Sequence, residues 1–137
     1  MRYFLAKTEP TTYSINTLEE EKVTWWDGVH SHQAINVIKS WEIGDRVLIY
    51  HSVKDMAIVG ISEVVSEPIK DPDDSRGISW KARVSFITKF PKTHWITLKE
   101  IKASGLFADF QLVKQSRLST MACPDNFIEW LAEKGII

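Results

Sequence analysis

From Trp80 to Phe90 the chain alternates between two kinds of side chain. Trp80, Ala82, Val84, Phe86 and Thr88 fall on one side, and Lys81, Arg83, Ser85, Ile87 and Lys89 on the other. Successive side chains of a strand point to opposite faces, so this stretch predicts a long strand with one face on a core and one toward water. Pro91 ends it, because proline has no N–H for a ladder. The other strand signals are shorter. Arg2 to Lys7 holds the buried run Tyr3-Phe4-Leu5-Ala6, stopped by Thr8-Glu9-Pro10. Val47 to Tyr50, within Arg46–His51, is too continuous for a half-exposed edge and predicts a central strand. Met56 to Glu67 alternates around Ile58, Gly60, Ser62 and Val64, and Gly60 predicts a bulge or a close backbone approach. Val23-Thr24-Trp25 reads as a strand running into an Asp27-Gly28 turn. Pro68 to Gly77 reads as a polar loop.

The helical signals between these strands are brief. Ser14 or Asn16 caps a first helix rich in Glu19, Glu20 and Glu21. Ser31 or His30 opens a second, with Ala34, Val37, Ile38 and Trp41 on one stripe. Thr97-Leu98-Lys99-Glu100 is a capping-box start. Pro124 suits the first turn of a last helix, with Phe127, Trp130 and Leu131 as its stripe and Gly135 just past its end. Phe107 to Val113 is ambiguous. Helices this short and irregular do not suit a regular parallel βαβ sheet, whose crossovers take about a dozen residues or more. The expectation is a β-rich α+β fold, a small curved sheet or barrel of about five to six strands with short helices at its ends. At 137 residues the chain reads as one domain, 1–137, with no repeat or linker.

Composition narrows the function classes. The chain is 44% apolar and 26% charged, ordinary for a soluble globular protein. Its net charge of −1 argues against a strong nonspecific polyanion binder. The charge is uneven: between residues 79 and 120, Lys81, Arg83, Lys89, Lys92, Lys99, Lys102, Lys114 and Arg117 face only Glu100 and Asp109. Such asymmetry marks either a basic face or a solvated strand surface. The single cysteine, Cys123, forms no internal disulfide, and His30, His32, His51 and His94 have no ligating pattern, so no metal or cofactor is expected. No signal peptide and no membrane span of ~18 apolar residues is present, which predicts a cytoplasmic, intracellular chain. Dinucleotide, phosphate-loop, zinc-protease and nucleophile-elbow motifs are all missing.

What stands out is aromatic faces beside hydrogen-bonding groups. The chain has six tryptophans, two of them adjacent at Trp25-Trp26. On a strand only one of that pair can face the core. Trp26, Trp25 or Trp80 is a candidate for stacking on a planar ring, an interaction worth roughly 1–3 kcal/mol for a nucleobase. Thr8, Ser31, Asn36, His51 and Ser52 are candidates for reading its edges, with Lys7 and Glu9 alongside. The plainer alternatives are that Trp25 and Trp80 are core, that Trp26 covers an edge, that His51 is a hydrogen-bonded strand end, and that Lys7 and Glu9 form a solvated pair.

An ordered series of short motifs then resembles a known family. Tyr3-Phe4-Leu5-Ala6-Lys7-Thr8-Glu9-Pro10 with Tyr13-Ser14 is similar to its opening. Trp26-Asp27-Gly28-Val29, Gln33-Ala34, Asn36, Gly44-Asp45, Tyr50-His51-Ser52, Gly60-Ile61, Glu63-Val64, Asp71-Pro72, Trp80 and Gln115-Ser116-Arg117-Leu118-Ser119 follow in order. The series resembles the EVE domain of the PUA-like superfamily, similar to the thymocyte nuclear protein family. The resemblance implies a PUA-like pseudo-barrel and a noncatalytic, monomeric reader of a modified base in DNA or RNA. It implies Trp26 as the stacking wall, with Lys7, Thr8, Glu9, Val29, His30, Ser31, His51 and Ser52 around the base. Asn36, Trp80, Lys81 and Arg117 would meet phosphate or stand behind the pocket. The chain departs from the family's usual Gly-Val-Arg-Asn-Tyr-Gln-Ala-Arg-Asn at His30, Ser31, His32 and Ile35. Two arginine forks are lost, and two histidines, the residue type that gains charge in mild acid, take their neighbourhood. The rival readings are a small enzyme on a modified nucleoside, as in the related ASCH group, with Lys7 and Glu9 as acid and base, and a protein-interaction domain.

Overall fold

The computed structural model describes residues 2–137. In chain order the elements are β1 (Tyr3–Thr8), α1 (Ile15–Glu21), β2 (Val23–Trp26), α2 (His32–Lys39), β3 (Arg46–His51), β4 (Ala57–Val64), β5 (Ile69–Lys70), β6 (Trp80–Lys89), a 3-10 turn (Lys92–His94), β7 (Ile96–Thr97), α3 (Leu98–Ala103), α4 (Gln111–Lys114), β8 (Thr120–Ala122) and α5 (Asp125–Glu133). The strands run in the order β2-β6-β4-β3-β1-β8, with β5 added to β6 and β7 to β4. The fold is the expected PUA-like α+β pseudo-barrel. Its path has six strands, and the two two-residue strands β5 and β7 extend the sheet. Neither was legible as a strand, and β5 lies inside the stretch read as a polar loop. The three-residue β8 was also missed.

One pairing departs from the antiparallel rule. β1 and β3 run parallel, from Tyr3 opposite Arg46 to Thr8 opposite His51. The crossover between them carries α1, β2 and α2, so its length comes from several short elements instead of one long helix. β3 sits inside the sheet, as its continuous apolar run predicts, between β1 and β4. β4 is shorter than the alternating stretch suggests and is buried at nearly every position, so both its faces are covered.

Bulges curl the sheet. Ile49 pairs with Gly60 and Tyr50 with Ile58, which leaves Val59 unpaired in β4. Ile61 pairs with Thr88 and Ser62 with Phe86, which leaves Ile87 unpaired in β6. An extra residue on one strand bends it and raises its twist. Gly60 serves the close approach at this bend: a Cβ there would lie 2.6 Å from the Thr88 carbonyl oxygen and 2.7 Å from Ile15 Cδ1. Among the described residues the sheet does not close, because β2 and β8 end the path without pairing. α2 packs on both β6 and β8 and spans part of the gap. Its buried face is Ala34, Ile35 and Ile38, while Val37 is only half-buried, so the helix is rotated from the expected stripe toward Ile35.

The helix starts follow their caps. Ser14 Oγ accepts from the Thr17 N–H at 3.2 Å, Ser31 Oγ from Ala34 at 3.1 Å, and Thr97 Oγ1 from Glu100 at 3.1 Å. Glu100 does not complete the capping box and instead meets Lys134 Nζ at 3.2 Å. α5 ends in a Schellman motif: Gly135 at φ 75° donates to Ala132, and Ile136 donates to Leu131. No helix among the described residues is long and apolar enough to cross a membrane.

Candidate functional site

The unclosed seam of the sheet holds the candidate site. Thr24, Trp25, Trp26, Asp27, Gly28 and Val29, from β2 and the turn after it, form one side of a cavity of about 620 Å³. Lys7 and Thr8, at the end of β1, and Ser119, just before β8, form the other. Thr12 and Tyr13, from the loop after β1, complete the lining. A cavity of this size falls in the range of small-ligand sites, ~300–1,000 Å³, and seven of its eleven lining residues carry polar side chains.

The two tryptophans separate as strand geometry requires. Trp26 turns inward and is 7% exposed, part core and part cavity wall. Tyr13 meets it edge-on, with ring centroids 6.2 Å apart and planes at 87°. Trp25 turns outward and is half-buried. Its ring lies 4.6 Å from Lys81 Nζ and 4.7 Å from the Arg83 guanidinium carbon, so two cations flank the aromatic face. Arg83 is the direct cross-strand partner of Trp25, and Ala82 that of Trp26. A large indole inward is matched by a small residue opposite.

Hydrogen bonds hold the lining in place. Thr8 Oγ1 donates to the Tyr13 carbonyl at 2.8 Å and fixes the loop between them. The Tyr13 hydroxyl donates to Glu21 Oε1 at 2.6 Å. Burial and this bond push the phenol up to about 12, so it stays neutral. Lys7 Nζ donates to the Ser116 carbonyl at 2.9 Å, and burial lowers the ammonium's pKa from its ordinary value. The turn at Asp27-Gly28 forms as expected, with Gly28 at φ 70°, a conformation that favours glycine.

The loop before β6 braces the turn from outside. Asp74 accepts from the Ile78 and Ser79 N–H groups at 3.0 and 2.8 Å, and from Arg76 Nε at 3.3 Å. These bonds hold its carboxyl down at about 2. Arg76 Nη1 then donates to the His30 carbonyl at 2.8 Å, and Ser79 Oγ to the Val29 carbonyl at 2.9 Å. The stretch read as a plain polar loop is thus a clamp on the far wall of the cavity.

The structure brings together Lys7, Thr8, Trp26 and Val29 in this cavity. Glu9, His30, Ser31, His51 and Ser52 are not in its lining. Glu9 is exposed, and no ion pair joins it to Lys7 among the described residues. His30 is exposed beyond the turn, and Ser31 is spent on capping α2. His51 is 4% exposed and fully engaged. Its Nε2 accepts from the Ile15 N–H at 3.0 Å and its Nδ1 donates to Asp55 Oδ2 at 3.0 Å, so it anchors the start of α1. Ser52 donates its N–H to the Thr8 carbonyl. Asn36 is exposed on α2. Trp80 lies under Lys39, 5.1 Å from its ring centroid, and Lys81 sits on the outer face near Asp71. Arg117 and Ser31 share a neighbouring hollow of about 400 Å³ with Gln33, Lys114, Gln115, Ser116 and Leu118. The hollow adjoins the main cavity at Ser116, whose carbonyl Lys7 holds. Burial raises the Cys123 thiol well above its usual range, which removes it as a thiolate nucleophile.

Sequence reasoning missed Thr12, Tyr13, Thr24 and Ser119 as lining residues. One signal was available: a polar segment after a strand-stopping proline, followed by an aromatic. The contribution of Ser119 comes only from the β1–β8 pairing.

A curled mixed sheet with an open seam, a tryptophan wall and short helices at the rim defines a PUA-like pseudo-barrel. The chain belongs to the EVE domain family, whose model matches residues 2–134. Among characterised proteins it is similar to thymocyte nuclear protein 1 of Rattus norvegicus, 33% identical over 81 residues. That match spans 50% of this chain and 36% of the relative, so the chain covers about a third of the relative's length. Among solved structures it resembles the Rpa0253 protein of Rhodopseudomonas palustris, with TM-score 0.87 and 29% identity over 98% of this chain and 93% of that one. The fold is also shared with the human THYN1 protein solved in complex with 5-methylcytosine-containing DNA, at TM-score 0.84 and 22% identity over 98% of both chains.

Proposed function

We propose that this chain is a noncatalytic reader that takes a modified base of DNA into the seam cavity. The observation that carries the reading is the cavity itself: an inward tryptophan, a neutral phenol edge-on to it, and polar groups from two strand ends around about 620 Å³, ample room for a nucleobase. A base must leave its stack to enter, at a cost of a few kcal/mol. Stacking on Trp26 repays roughly 1–3 kcal/mol and edge hydrogen bonds supply the rest. The hollow beside Ser116, with exposed Lys114 and Arg117, is suited to a phosphate flanking the inserted nucleotide. The DNA-bound human THYN1 structure supports DNA as the partner and 5-methylcytosine as the first modification to try.

The test is a titration of fluorescently labelled oligonucleotides, single- and double-stranded, DNA and RNA, with and without 5-methylcytosine. The reading expects tighter binding to a modified DNA strand, lost in a Ser119→Trp variant that fills the cavity. Equal affinity for modified and unmodified strands, unchanged by Ser119→Trp, overturns it.

A further inference from the structure

The cavity wall contributed by β2 is a strand edge as well as a side chain. β2 ends the sheet, and among the described residues no strand pairs with its far side. Its register with β6 sets which backbone groups are used. The Phe86 N–H donates to the Lys22 carbonyl, and Thr24 and Trp26 lie opposite Val84 and Ala82. Residues of an antiparallel pair alternate between bonding inward and pointing outward. Thr24 and Trp26 therefore bond to β6, while the N–H and C=O of Trp25 point away from it, into the seam. Asp27, two residues on, continues the same side. Thr24, Trp25 and Trp26 of β2 all line the cavity although successive side chains of the strand point to opposite faces. A lining of that kind is backbone edge.

We infer that the Trp25 N–H and C=O read the Watson–Crick edge of the inserted base. This rests on the reading proposed above. An adjacent donor and acceptor in fixed orientation match a base edge that offers an acceptor beside a donor, as N3 and the 4-amino group of cytosine do. The strand edge then acts as the missing pairing partner for the flipped base, while Trp26 takes its face. One consequence is a class of ligand. A modification on the C5 edge of a pyrimidine leaves the Watson–Crick edge free and is compatible. A methyl group on N3 blocks it. Trp25 therefore has two separable parts: an indole directed outward to Lys81 and Arg83, and an amide directed into the cavity.

The test separates the indole from the amide. The chain is made by semisynthesis with an ester in place of the residue-25 amide, which removes one N–H and keeps the indole. Its affinity for a 5-methylcytosine strand is compared with that of wild type. The expected loss is about three- to tenfold for the ester, the range for one hydrogen bond. A strand carrying 3-methylcytosine should bind at least about tenfold more weakly than one carrying 5-methylcytosine. Full affinity of the ester protein together with equal binding of both strands overturns the inference. Circular dichroism and melting of each protein separate this result from loss of fold. If no oligonucleotide binds wild type at all, the failure belongs to the reader function and not to the strand edge.

Discussion

Trp25 and Trp26 are chemically identical neighbours, and the fold gives them opposite work. Trp26 is inward, 7% exposed, opposite Ala82 and edge-on to Tyr13. Trp25 is outward, opposite Arg83, with a lysine and a guanidinium near its ring. The difference is one residue of strand register. It shows that a tryptophan at a cavity wall is also a core residue, so truncating Trp26 removes core packing together with the wall. Truncating Trp25 leaves the core in place.

The largest expected effect tests that asymmetry. Trp26→Ala should lose about 3–5 kcal/mol of folding stability, as truncated buried aromatics do. Trp25→Ala should lose about 1 kcal/mol, since exposed cation–π contacts are each worth about 0.5–1 kcal/mol. Chemical denaturation of the two variants checks the order. Equal losses would mean that the outer indole is as well packed as the inner one. Trp26→Phe keeps a ring in the core and should still fold, while binding a modified strand more weakly.

The next effect concerns the support behind the cavity. His51→Ala leaves the buried Ile15 N–H without its acceptor, which costs about 1–3 kcal/mol beyond lost packing. The same denaturation series reads it. If His51 touched the ligand instead of α1, binding would fall with stability unchanged. Gly60→Ala should also destabilise, because its Cβ would lie 2.6 Å from a backbone oxygen.

Asp74→Asn should loosen the clamp on Val29 and His30 and weaken binding, while leaving the Trp25 face unaltered. Its effect has a pH signature. The folded carboxyl is held at about 2, below the ordinary unfolded value near ~3.9, so its charge stabilises the fold above that value. The contribution fades as pH falls toward the folded value. The stability gap between wild type and Asp74→Asn should therefore be full at neutral pH and close between about pH 4 and 2. A gap that persists at the acid end would mean that the side chain acts by packing and not by charge.

Some of this was legible before the structure. Alternation gave β6 its two faces, the continuous run of Arg46–His51 marked an interior strand, and Ser31 and Thr97 announced their helices. The short strands were not legible, because two or three residues carry no period, and β8 exists only through its pairing with β1. Residue types at the site were readable where chemistry is conspicuous, as at Trp26 and Lys7. Thr12, Thr24 and Ser119 are small polar residues that any loop carries, and distant parts of the chain bring them together. His51 shows the converse: a suggestive residue type whose two nitrogens the backbone and Asp55 already occupy.

The central claim is that an inserted base lies against Trp26 in the seam. Protein labelled with 5-fluorotryptophan has six fluorine signals, one per tryptophan. Trp26→Phe identifies one of them by its disappearance. On titration with a short 5-methylcytosine DNA strand, the account predicts a large shift of the Trp26 signal, a smaller one of Trp25, and little change at the buried Trp41. Binding that leaves the Trp26 signal in place, or that moves it equally with the unmodified strand, would contradict it.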